Sequence, residues 1–82
     1  MIKPGKTLYA GRCEGEWFIK QAVSPKQFTR IVIEEVKRRD GYVVPPGGRW
    51  RYAPDLWWDE AKKVWREMDG SVYGPHLPKG AR

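Results

Sequence analysis

The chain has 82 residues and a formal charge of +6, with five Trp, four Tyr and two Phe. That length makes one domain, which buries roughly 60–65% of the surface its unfolded chain exposes, so the aromatics must supply much of the core. No apolar run approaches the roughly 20 residues that span a bilayer, no apolar signal core follows Met1, and Cys13 has no second cysteine for an internal disulfide. The expectation is a cytoplasmic, reducing setting without membrane contact.

Residues 1–5 read as a flexible lead, 6–70 as a single compact domain and 71–82 as a basic tail. Two strands, Thr7–Cys13 and residues 16–23, flank Glu14-Gly15, a two-residue turn with Gly second. The register sets Arg12 opposite Trp17 and Ala10 opposite Ile19. Leu8, Ala10, Trp17 and Ile19 then share one face, and Tyr9, Phe18 and Lys20 the other. A short helix over 17–23 is the alternative.

Ser24-Pro25-Lys26-Gln27 is a capping box with Pro at the first helical position. It predicts a helix over 24–39, stopped by Asp40-Gly41. Phe28, Ile31, Val32, Glu35 and Val36 have helical spacing, with Ile33 widening the apolar stripe, and Lys37, Arg38 and Arg39 suit its negative end. Glu34 and Glu35 are expected to pair with Arg38 and Arg39 at i, i+4. A second hairpin is expected over 42–52 around Pro45-Pro46-Gly47-Gly48, with Val43, Trp50 and Tyr52 inward and Tyr42, Val44, Arg49 and Arg51 outward. A second helix is expected to start at Asp55 and run to about Met68. Its core face is Trp57, Ala61, Val64, Trp65 and Met68, at i, i+4, i+7, i+8 and i+11. The predicted fold is therefore α+β in the order β-β-α-β-β-α, with Val72-Tyr73 pinning the tail.

Catalytic chemistry finds little support. One Cys and one His cannot assemble a recognisable zinc pattern, and no loop resembles a calcium site, so no metal or other cofactor is expected. Cys13 and His76 are the one thiol–imidazole pair, with His76 in the tail. The adjacent carboxylates Glu34/Glu35 and Asp59/Glu60 have ordinary helix-surface explanations. Pro45-Pro46-Gly47-Gly48 lacks the lysine of a phosphate loop. A binding protein, and not an enzyme, is the expectation.

Charge placement points to the partner. Residues 1–54 hold eleven Lys/Arg against five Asp/Glu, and residues 55–70 hold three against five. Lys26 and Arg30 lie one turn apart, with Gln27 beside them. Arg38 and Arg39 form a second cluster, and Arg49 and Arg51 would project with Tyr42 from one face of the hairpin. Lys79 and Arg82 could follow a phosphate backbone.

The stretch 24–68 resembles small winged-helix phage excisionases and the related MerR-like and AlpA-like regulators. The likeness rests on Ser24-Pro25-Lys26-Gln27-Phe28-Thr29-Arg30 opening a recognition helix. Residues 42–52 match the wing, and Asp55-Leu56 with Trp65 match the backing helix. The motif departs from the family in lacking a helix and Gly-containing turn before residue 24, and in carrying Glu34 and Glu35. The resemblance implies a DNA-binding accessory protein of a phage or mobile element, with self-association or a recombinase as partner.

The leading expectation is thus a small regulatory protein that binds nucleic acid, duplex DNA before RNA. Helix 24–39 would enter a groove with Lys26, Gln27 and Arg30, and Arg49 and Arg51 would hold the backbone. Two alternatives stand beside it. One is an adaptor or inhibitor of phage origin that uses Trp57, Trp58, Tyr73 and arginines. The other is a toxin-type ribonuclease dependent on His76.

Overall fold

The computed structural model describes residues 5–41, 45 and 47–77, with the backbone alone for Arg49 and Trp50. Its elements are β1 (Thr7–Cys13), β2 (Glu16–Ala22), α1 (Pro25–Asp40), a 3-10 turn η1 (Gly48–Tyr52), β3 (Leu56–Asp59), β4 (Val64–Glu67) and β5 (Val72–Gly74). The strands form one antiparallel sheet in the order β2-β1-β3-β4-β5. The expected β-β-α-β-β-α order is therefore wrong: among the described residues there is one α-helix and a five-stranded sheet.

The first hairpin forms in the expected register, with Ala10 opposite Ile19 and Arg12 opposite Trp17. Glu14 and Gly15 both take positive φ, 52° and 81°. That turn matches the right-handed twist of the flanking strands. Residues 16–22 are strand, so the alternative short helix there is excluded.

The helix follows its capping signals. Ser24 Oγ accepts the Gln27 N–H at 3.2 Å, and Gln27 Oε1 accepts the Val23 N–H at 2.8 Å. At the other end Gly41, at φ 67°, donates its N–H to Lys37 O at 2.9 Å. Phe28, Val32, Ile33 and Val36 are buried against Tyr9, Cys13, Phe18, Ala22 and Tyr52, with Trp57 packed at the edge. This core lies between α1 and one face of the sheet.

The predicted helix over 55–68 is instead the β3–β4 hairpin. Leu56-Trp57-Trp58 and Val64-Trp65 are aromatic and branched side chains that suit a pleated surface. Trp58 and Trp65 are cross-strand partners one pair outside the four-residue turn 60–63, and the i, i+4 spacing of Trp57, Ala61 and Trp65 joins residues that share no face. Asp59 fixes that turn. Its Oδ1 accepts the Ala61 and Lys62 N–H groups at 3.1 and 3.2 Å, and its carbonyl accepts the Lys63 N–H at 2.7 Å. Arg66 Nε donates to Asp59 Oδ2 at 2.7 Å from the paired strand. Helix-favouring Ala61-Lys62-Lys63 thus occupies a turn, where Lys63 takes φ 58°.

The expected 42–52 hairpin also fails in the part that is described. Its second strand is replaced by η1, whose Tyr52 is buried against the helix-side core. Residues 42–44, its first strand, lie outside the described residues. Asp55, expected to open a helix, instead extends the sheet: its N–H donates to Ala10 O at 2.9 Å and its Oδ2 accepts the Arg12 N–H at 2.7 Å. Val72–Gly74, within the expected tail, is strand β5.

Candidate nucleic-acid interface

The helical period decides which side chains of α1 can act together. At about 100° per residue, Lys26, Arg30 and Lys37 fall within an arc of about 40°, on the flank of the helix beside buried Ile33. Their span along the axis is about 16 Å. All three are exposed, as is Arg38 farther round the helix. One carboxylate interrupts them: Glu34 Oε1 lies 3.8 Å from Lys37 Nζ. Among the described residues Lys26, Arg30 and Arg38 make no ion pair.

A groove of about 660 Å³ runs beside this stripe. Ile33 and Ala53 give it apolar wall, and Lys26, Arg30 and Lys37, with Glu34 among them, give it a net positive charge. Ala53 is there because the chain crosses β1 over Gly11. A Cβ on Gly11 would stand 2.9 Å from Ala53 O and 3.2 Å from Phe28 Cε1. The missing side chain at Gly11 lets the 53–54 segment lie close to the sheet alongside α1.

Several other expected contacts are engaged within the protein. Arg39 is clasped to Glu16 by two hydrogen bonds of 2.9 Å and reaches Asp40 at 3.0 Å, with its guanidinium 6.0 Å from the Phe18 ring centre. Those bonds raise the guanidinium pKa and lower that of the Asp40 carboxyl. Glu35 pairs with Lys20 on the sheet and Glu34 with Lys37, so the expected Glu34–Arg38 and Glu35–Arg39 pairs do not form. Gln27 is half-buried and its carbonyl oxygen serves the cap, although it also lines the groove. Arg51 is exposed on η1, 3.8 Å from Glu14 at the β1–β2 turn. Tyr42, Lys79, Arg82 and the Arg49 side chain lie outside the described residues.

Lys37 and Ile33 were not among the expected site residues. The helical period could have found Lys37, which lies between Lys26 and Arg30 in angle. Its place in a run of three cations drew it to the helix-end explanation.

The catalytic alternatives gain no geometry. Cys13 is buried under α1, where burial and then Asp55, Glu14 and Glu16 push its thiol up to about 12. His76 is exposed, next to Leu77 on the opposite side of the sheet. Among the described residues no group of three or more His, Cys, Asp or Glu could hold a metal ion, and no helix is long and apolar enough to cross a membrane. Compared with protein-family models, curated proteins and solved structures, the chain has no match.

Proposed function

We propose that this protein binds nucleic acid, duplex DNA in the first instance, through the flank of α1 that carries Lys26, Arg30 and Lys37. The observation that carries the reading is the exposed row Lys26, Arg30 and Lys37, with Arg38 farther round the helix and Glu34 between them. Lysine and arginine so placed neutralise phosphates and release counterions, the main source of affinity for a duplex. Lys26 and Arg30 are separated by about 6 Å along the helix, a spacing that lets each take its own phosphate. The role is regulatory or accessory, without catalysis or cofactor, and its setting is the cytoplasm, where the lone buried Cys13 stays reduced.

The reading keeps the nucleic acid and leaves the recombinase aside. The wing strand over 49–52 and the backing helix over 55–68, on which the excisionase resemblance stood, are a 3-10 turn and a hairpin. With Gln27 held in the cap, base reading has little basis. Contacts should be to the backbone and weakly dependent on sequence.

Fluorescence anisotropy of a labelled duplex tests this. Lys26→Ala, Arg30→Ala and Lys37→Ala combined should weaken binding at low salt by about tenfold or more, to a similar degree on unrelated sequences. Undiminished binding by the folded triple variant, or no binding by the native chain at low salt, would reject the proposal.

A further inference from the structure

A sheet with a helix on one face and water on the other alternates apolar inward and polar outward. The face turned away from α1 breaks that pattern. Ala10, Leu56 and Trp65 are buried there, and Leu8, Trp17, Ile19 and Trp58 are half-buried around them, with Leu77 at the margin. Trp58 meets Trp65 edge-on at 5.2 Å. A layer this apolar ordinarily packs against another layer.

The charges on the same face say what that layer is. Arg12 follows Ala10 on β1, and Glu67 on β4 pairs with Leu56 of β3. Both are exposed, and neither makes an ion pair among the described residues. β1 and β4 are the two neighbours of β3, so Arg12 and Glu67 stand on opposite sides of it. A two-fold axis along β3, set between two stacked sheets, lays β1 of one copy over β4 of the other. Each Arg12 then faces Glu67 of the other copy. The sheets are about 10 Å apart and the offset along the strands is about 7 Å, which two long side chains reaching toward each other can bridge.

We infer that this face is an isologous interface between two copies of the chain, with Leu56 and Trp58 of β3 at its apolar centre, an Arg12–Glu67 pair to each side and Trp17 beyond Arg12 at the edge. Nucleic acid is the poorer occupant, because Glu67 lies on the face and Glu60, bonded to Trp58 Nε1 at 2.6 Å, lies at its rim. The α1 stripe is on the far side of the sheet and remains open in the dimer. The inference does not depend on the nucleic-acid reading.

Light scattering behind gel filtration tests it, from about 1 µM to about 1 mM, the range in which small interfaces dissociate. The native chain should pass from monomer to dimer mass. Arg12→Glu and Glu67→Arg should each raise the dissociation constant about tenfold, and the two together should return it to within about threefold of native. Circular dichroism confirms that each variant is folded. A monomer throughout the range would overturn the inference. So would a dimer that ignores both single reversals, since its interface would lie elsewhere.

Discussion

At Gly11 a hydrogen atom decides how three segments meet. β1, the 53–54 crossing and Phe28 of α1 converge there at distances that a methyl group would violate. Overpacking of this kind typically destabilises by about 1–3 kcal/mol. Gly11→Ala should lower the urea midpoint accordingly, and an unchanged midpoint would show that the crossing is free to move. Cys13, two residues on, makes a second prediction at the same scale. Its folded thiol ionises at about 12 against an ordinary value of 9.0. Below the ordinary value both states are protonated, and the full contribution to stability is present. Between about 9 and 12 only the unfolded chain loses the proton, so stability falls as pH rises. The native chain should lose stability across that window more steeply than Cys13→Ala, and parallel profiles would count against a thiol held neutral. Gly11 does not stand out in the sequence, because what crowds it comes from Phe28, Ala53 and Pro54, all more than ten positions away.

Among the elements, those with local punctuation were legible. Glu14-Gly15 and Ser24-Pro25-Lys26-Gln27 fix their turn and cap through atoms a few residues apart, and the first hairpin and α1 follow them. The β3–β4 hairpin was misread because its spacing satisfies two periods at once. Trp57, Ala61, Val64, Trp65 and Met68 fit a helix, while the folded chain places Trp57 and Trp58 on opposite faces of one strand. Asp59 holds this hairpin with its carboxylate, which Arg66 and the Lys62 and Ala61 N–H groups keep below its ordinary range. A depressed carboxyl contributes stability above its ordinary titration range and loses it as pH falls through the lowered folded value. The acid limb of the stability profile should therefore be shallower in Asp59→Asn than in the native chain. Identical acid limbs would show that the turn does not depend on the charge.

For the whole molecule, charge was legible and its arrangement was only half so. The excess of cations in residues 1–54 reads directly from the chain. Which cations act together depended on the fold. α1 aligns Lys26, Arg30 and Lys37, while the helical period turns Arg39 to the other side of the helix, where Glu16 of β2 takes it. The sheet sorts the molecule into two unlike sides, cationic over α1 and apolar beneath. The first is assigned to nucleic acid and the second to another copy, so a dimer would carry two cationic faces pointing apart.

The measurement nearest to the central claim is the salt dependence of duplex DNA binding by the native chain and by the Lys26→Ala, Arg30→Ala, Lys37→Ala variant. Three phosphate contacts give a slope of log K against log salt of about −2.7, with about −0.9 more if Arg38 joins them. The variant should retain a slope no steeper than about −1. Equal slopes for the two proteins would place the phosphate contacts away from α1 and contradict the assignment.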